Sequence, residues 1–219
     1  EKEYRQKNGL KIITELRERF DDALGGGGRL EAAVAAYRSF VARYPEHPQR
    51  ADAIYALGVA EQERGDFGDA VQSFALFEQL FPQHPAHADA RARHGEALLS
   101  RAESQLAAGQ ALEARRTVEQ LLDGFRESAL VPPALAIMAQ VQLGESDWPA
   151  AEASLDECLR RSTHADVTNS ARLLRARVRY QRGNFSGCFA DAGEVLAREP
   201  QRAAAVHLRG LCEDRKSVV

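Results

Sequence analysis

Lysine is nearly missing from this chain. Only Lys2, Lys7, Lys11 and Lys216 occur, and the formal net charge over 219 residues is -3. That balance supplies no global field to draw the protein onto nucleic acid or an anionic membrane. Aromatic residues are not interleaved with exposed basic ones, which further excludes single-strand nucleic-acid binding. No run of about 18 apolar residues exists, so no helical segment directly spans a bilayer. β-Branched residues are few while Ala, Leu and Arg abound, a composition that favours helices over sheet. Cysteine is also scarce. Cys158, Cys188 and Cys212 are an odd count without Cys-x-x-Cys spacing, which argues against a disulfide framework or a zinc site. All three fall at small-residue positions of predicted helices and read as buried apolar residues. No signal peptide is visible and the chain does not open on Met, so it reads as an excised fragment from which a leader could have been cut.

Chemistry-bearing motifs are equally sparse. There is no GxGxxG or P-loop pattern; the tetraglycine at 25–28 follows a helical pattern and lacks the lysine. No strained turn presents a serine nucleophile. His84, His87 and His94 are the one cluster of metal-type ligands, with His87 and His94 two turns apart on a helix and His84 in a Pro-flanked loop. No Cys or paired carboxylate completes a tetrahedral set, so they read as loop and surface histidines. The expectation is a protein with no catalytic residue, no metal site and no cofactor.

What the chain does have is a beat. Gly28-Arg29-Leu30 with Ala33, Gly65-Asp66-Phe67 with Ala70, and Gly183-Asn184-Phe185 with Cys188 repeat one block. Weaker copies stand at Gly109-Gln110 with Ala114 and at Asp147-Trp148 with Ala151, making the intervals 37, 44, 37 and 37 residues. A period in this range marks stacked supersecondary units, which present extended surfaces rather than one globular core. Between the marks, apolar residues recur at helical spacing, as in Leu30, Ala33, Val34, Tyr37, Phe40 and Val41. Helices are predicted over 29–44, 49–64, 67–81, 86–108, 111–125, 132–143, 148–161, 167–182, 185–198 and 201–214. Short Gly-containing turns make successive helices antiparallel neighbours.

The strongest copy, Ile54, Leu57, Gly58, Gly65, Phe67, Ala70, Phe74, Phe77 and Pro82, resembles the tetratricopeptide repeat. Gly28, Leu30, Ala33, Tyr37, Phe40 and Pro45 match the second half of a preceding repeat, and Gly183, Phe185, Ala192, Val195 and Pro200 that of a late one. The middle copies depart from the pattern: Arg101 and Ala102 stand where Leu and Gly are expected, and no Pro closes 111–125. The resemblance spans about residues 28–212. It implies an all-α, right-handed superhelical solenoid of about five antiparallel helix hairpins, with 201–214 covering the last. The loops Tyr44-Pro45-Glu46-His47-Pro48 and Phe81-Pro82-Gln83-His84-Pro85 resemble those of the bacterial envelope branch, which includes the lipoproteins of outer-membrane protein assembly and the periplasmic coordinators of the Tol-Pal system. High Ala and Arg usage fits a GC-rich bacterial source. The loops point to the periplasm of a Gram-negative bacterium, the preferred compartment, whereas three unpaired cysteines point to the cytoplasm.

The resemblance implies a non-catalytic scaffold that binds a partner helix or peptide on its concave surface. First helices line that surface, and the matching positions hold Asp52, Tyr55, Val59, Gln62 and Glu63, then Glu96, Leu99 and Glu103, then Ala136, Gln140, Leu143, Leu173, Arg177 and Tyr180. Apolar and acidic residues together suit an amphipathic segment with some basic character. Members that bind chaperone tails clamp a terminal carboxylate with Lys and Asn; here those positions hold Tyr55, Val59 and Leu99, so that activity is not carried over. The run Arg172, Arg175, Arg177, Arg179 and Arg182 reads as a salt-bridged surface, with a docking patch for an acidic partner as the alternative. Two other functions stay open: a structural subunit of a bacterial envelope assembly acting through self-association, and a regulatory module of a larger protein.

The N-terminus differs in composition. Residues 1–24 hold three of the four lysines and two of the four isoleucines, and residues 25–28 are glycines. Four glycines in a row are unfavourable in a helix by about 1 kcal/mol each relative to Ala, so they read as a linker. Before it, Leu10, Ile13, Leu16, Phe20 and Leu24 form an amphipathic stripe. The segment is either the first helix of the first repeat or a foreign ligand helix tethered to its receptor, held at roughly millimolar effective concentration. The domain organisation expected is 1–24 helix, 25–28 linker, 29–214 repeat domain and 215–219 tail.

Overall fold

The computed structural model describes residues 27–216; the stripe Leu10, Ile13, Leu16, Phe20 and Leu24 lies outside them. The described residues form ten helices and no strand: α1 Gly27–Arg43, α2 Arg50–Arg64, α3 Phe67–Leu80, α4 His87–Ala107, α5 Ala111–Gly124, α6 Val131–Gly144, α7 Trp148–Arg161, α8 Ala165–Gln181, α9 Phe185–Leu196 and α10 Ala203–Lys216. All bounds lie within one or two residues of those expected from the sequence. The difference at α1 is informative, because its first turn includes Gly27 and Gly28. Two of the four glycines thus sit at a helix start, where the first amides have no intrahelical acceptor to lose.

The beat has a conformational cause. Gly65, Gly109 and Gly183 adopt φ of 86°, 76° and 76°, a left-handed conformation that side chains disfavour. At each, two backbone bonds close the helix: Gly65 N–H donates to Gln62 O and Asp66 N–H to Glu61 O, and the pairs from Gly109–Gln110 and Gly183–Asn184 are equivalent. This is the Schellman closure. At the fourth position Ser146 takes the glycine's place with φ 61°, and its amide and that of Asp147 make the same two bonds. Proline stands in the first turns of α6 and α7, where its missing N–H loses nothing.

The chain divides into two compact units, residues 1–100 and 101–219, and α4 runs from one into the other. In the first, Ala33, Val34, Tyr37 and Phe40 of α1 pack with Ala53, Leu57 and Ala60 of α2. Phe74 and Phe77 of α3 are fully buried, worth about 2–3 kcal/mol each in apolar transfer. Gly58 permits this approach, since a Cβ there would lie 2.8 Å from the Phe74 ring. The second unit has two cores. Val131, Leu135 and Ala139 of α6 pack with Ala151, Leu155 and Cys158 of α7 and with Ala171 and Val178 of α8. Ala176, Cys188 and Cys212 centre the other, with Tyr180, Phe185, Phe189 and Leu208 around them. Here consecutive helices are neighbours, and first helices of successive hairpins also meet, α6 with α8 and α8 with α10.

One sequence expectation is corrected. Cys188 and Cys212 are not unpaired apolar residues; they form a disulfide that joins α9 to α10, with Cα atoms 6.3 Å apart. The antiparallel run of α9 and α10 brings together two positions 24 residues apart, a proximity that spacing alone does not disclose. Cys158 does remain a free, buried thiol, and burial pushes its pKa up to about 11.

The aromatic-Pro-x-His-Pro loops also acquire a mechanism. His47 Nδ1 accepts from Gln49 N–H at 3.1 Å, and His84 Nδ1 accepts from Ala86 N–H at 3.2 Å. Each ring stands edge-on to a buried phenylalanine, Phe40 or Phe77, at 5.2 Å. Ser128 does the same job in the Phe125–Leu130 loop, its Oγ accepting from Leu130 N–H at 3.2 Å.

Four hairpins share a polar tie between their two helices whose members stand 12 residues apart in sequence. Ser73 donates to Glu61 at 2.6 Å, Thr117 to Gln105 at 2.7 Å, Ser154 to Gln142 at 2.8 Å, and Arg179 to Asp191 at 2.9 Å. The members on the first helices, Glu61, Gln105, Gln142 and Arg179, are spaced 44, 37 and 37 residues apart, the glycine beat again.

Candidate functional site

The face expected to meet a partner is built from first helices. In the first unit, Asp52, Tyr55, Val59, Gln62 and Glu63 lie on α2, and Glu96 and Leu99 on α4. Asp52, Glu63 and Glu96 are exposed, while Tyr55, Val59, Gln62 and Leu99 are half-buried. Tyr55 is more than lining: its ring packs 6.2 Å from Phe74 and 5.9 Å from Phe77, fixing its direction. Its hydroxyl donates to Asp89 and accepts from Arg93 Nε at 3.0 Å, while Arg93 also reaches Asp89 at 3.1 Å. Burial, then the bond to Asp89, raises the Tyr55 phenol above its ordinary pKa. The Tyr55 hydrogen bond, aided by Arg93, holds the Asp89 carboxyl below its own. Asp89 and Arg93 were not among the sequence-derived residues; their signal is an acid-base pair four apart on the exposed side of α4. His84 Nε2 lies 3.6 Å from Asp52.

Helices α2 and α4 thus carry four exposed carboxylates, Asp52, Glu63, Asp89 and Glu96, and half-buried Tyr55, Val59 and Leu99, with Arg93 bound to Asp89 and Tyr55. Oε1 of Gln62 is buried without a hydrogen-bond partner.

In the second unit the expected residues separate into two groups. Glu103 on α4, Gln140 on α6 and Arg177 on α8 are exposed, and Ala136 and Leu173 are half-buried. Leu143 and Tyr180 instead serve their cores: Leu143 packs against the α6–α8 cluster, and Tyr180 stands 5.6 Å from Phe185. Of the arginine run, four members are engaged. Arg175 bridges Asp156 of α7 at 2.6 Å and Asp191 of α9, Arg179 bridges Glu152 at 2.8 Å and Asp191, Arg182 reaches Glu152, and Arg172 lies 3.8 Å from Glu194. Burial works to lower the Arg175 pKa, but its bonds to Asp191 and Asp156 raise it overall. Arg177 alone makes no such pair among the described residues.

His94 Nδ1 lies 2.7 Å from Glu78, and Arg91 pairs with the same carboxylate at 2.9 Å, so this histidine belongs to an α3–α4 tie. Among the described residues no three His, Cys, Asp or Glu side chains gather as a metal site, and no helix is long and apolar enough to cross a membrane.

Left-handed closures, hairpins and first-helix contacts together define a tetratricopeptide-repeat fold. Residues 20–85 match the tetratricopeptide repeat family model, a stretch that opens at Phe20, ahead of the glycine run. Solved structures agree along nearly the whole chain. A tetratricopeptide repeat protein from Parabacteroides merdae ATCC 43184 is 16% identical over 96% of this chain and 74% of its own, with a TM-score of 0.59. The tetratricopeptide domain of P58(IPK) is 11% identical over 98% of this chain, with a TM-score of 0.53, and this chain spans 56% of it. MamA from Desulfovibrio magneticus RS-1 is 14% identical over 89% of this chain and 97% of its own, with a TM-score of 0.51. No curated protein matches. At these identities the likeness is one of fold: an all-helical tetratricopeptide solenoid, an architecture of protein–protein scaffolds that are generally non-catalytic.

Proposed function

We propose that this protein is a scaffold that holds a basic amphipathic segment, helical or extended, against the first-helix face of α2 and α4. The observation that carries the reading is that exposed Asp52, Glu63, Asp89 and Glu96 share α2 and α4 with half-buried Tyr55, Val59 and Leu99. A partner with Lys or Arg flanking a short apolar stripe complements both features, the charges governing encounter and the apolar contact governing residence. Tyr55 is oriented in advance by Phe74, Phe77 and Asp89, which lowers the ordering cost on binding. Fluorescence anisotropy with the full chain tests this. Labelled amphipathic peptides with basic rims should bind at about micromolar Kd, and the same peptides with Glu rims at least about tenfold more weakly. Glu63→Lys with Glu96→Lys should invert that preference. Equal binding of basic and acidic peptides, or indifference to the double substitution, refutes the reading.

Residues 1–24 are read as the first helix of the first repeat, a reading supported by a family match that already includes Phe20 and Leu24. Removing residues 1–28 should therefore destabilise or aggregate the remainder. Micromolar rebinding of peptide 1–24 in trans to a folded remainder would instead identify it as a tethered ligand. The Cys188–Cys212 bond supports an oxidising compartment, consistent with the bacterial periplasm.

A further inference from the structure

The first unit carries a second, different surface. Leu76 and Leu80, one turn apart on α3, are 36% and 40% exposed, unlike the other large apolar residues of that helix. Beside them opens a cavity of about 240 Å³ lined by Arg38, Leu57, Glu61, Asp69, Gln72, Ser73 and Leu76. Its charge is unbalanced. Arg38 forks between buried Glu61, at 2.6 Å, and half-exposed Asp69, so two carboxylates share one cation. The mouth therefore offers an apolar ridge with residual negative charge at one end.

A complementary ridge exists on the same chain, in the second unit. Leu112 of α5 is 54% exposed, the most exposed large apolar side chain among the described residues. Arg116, one turn further on, is exposed and makes no ion pair among the described residues. Residues four apart on a helix lie about 5–6 Å apart on one face. With α5 of one molecule antiparallel to α3 of another, Leu112 seats between Leu76 and Leu80. Arg116 then falls one turn toward the N-terminus of α3, level with the cavity mouth at Gln72 and Ser73, with the Asp69 carboxylate about 8 Å further along the axis and within electrostatic range. We propose that α3 is a docking ridge for a second copy of this chain, with Leu112 and Arg116 of that copy as the occupant. The two ridges are small, so the association is weak, in the class of transient contacts with Kd of about 10–100 µM. Because it uses second helices, it leaves the α2–α4 face free and does not depend on the partner proposed above.

Sedimentation velocity of the full chain from about 5 to 500 µM at low salt reads the association directly. Self-association should appear with rising concentration, and Arg116→Glu or Leu80→Glu should each weaken it at least about tenfold. Mixing the two variants should restore it, because Leu80→Glu keeps an intact α5 ridge and Arg116→Glu an intact α3 ridge. Both substitutions are at exposed positions, and unchanged helical circular dichroism confirms folding. Asp69→Lys combined with Arg116→Glu in one chain should also recover association by exchanging the charges. A chain that stays monomeric throughout, an association indifferent to both single substitutions, or a mixture that stays dissociated overturns the proposal.

Discussion

Cutting the Cys188–Cys212 bond should loosen one end of the protein and leave the other untouched. The bond closes a loop with a sequence separation of 24. Chain-entropy reasoning gives about 3.5 kcal/mol for a loop of that size, the constraint acting on the opened state. Besides Cys212, α10 has one fully buried apolar residue, Ala205, with Leu208 half-buried against the same core. In a stack where each unit touches only its neighbours, that loss stays local. Hydrogen exchange on the native chain, with and without a dithiol or with both cysteines changed to Ala, measures it. Amide protection across α10 should fall by up to about 400-fold, the equivalent of that free energy, with a smaller loss in α9. Protection across α2 serves as the internal reference and should not move. Buried Cys158, its thiol at about 11, stays largely protonated at neutral pH and should not shuffle with the opened pair. An α10 equally protected after reduction, or an even loss across every helix, would refute the reasoning.

Four further outcomes follow from particular contacts. Gly58→Ala should lower stability by about 1–2 kcal/mol in urea melts, because the new Cβ meets the buried Phe74 ring and overpacking exceeds the gain in helix propensity. Ser146→Gly should raise it by about 1 kcal/mol, since it relieves the one left-handed position among the closures that is not already glycine. Thr117→Ala should cost about 1 kcal/mol by leaving Gln105 without its donor, and Glu61→Ala more, about 2 kcal/mol, because Ser73 and Arg38 both lose an acceptor. Acid should weaken the second unit through Glu152: burial acts to raise its pKa, but bonds from Arg179 and Arg182 outweigh this and hold it below the ordinary carboxylate value. That stability is complete above about pH 4.3 and is lost as pH falls through the lowered folded value, so the urea midpoint should drop on acidification and Arg182→Ala should flatten the drop.

The helices were legible from apolar spacing because each buries a single stripe against its neighbours, and the glycine beat was legible because left-handed closures tolerate few residues. The same logic hid one closure. Ser146 adopts the glycine conformation, so that copy looked weaker than it is. The disulfide was not legible, since two cysteines in different helices meet only through the antiparallel return of the chain. Of the expected partner-facing residues, Asp52, Glu63 and Glu96 are exposed on first helices. Leu143 and Tyr180 were drawn into cores because the neighbouring Trp148 and Phe185 leave apolar surface to cover. The helix-to-helix ties at a spacing of 12 escaped notice because their chemistry changes from copy to copy while their geometry does not.

That change of chemistry bears on how the molecule avoids misfolding. Hairpins built to one plan invite a helix from one copy to mate with its counterpart in another, the characteristic failure of tandem arrays. Glu61, Gln105 and Gln142 would each tolerate a neighbour's hydroxyl, so these three copies can be confused at this position. Glu61 against Asp191 would set two carboxylates face to face, and Arg179 against Ser73 would strand a cation. The inverted polarity at 179 and 191 thus acts as an address label for the last hairpin alone, favouring its correct mate during folding.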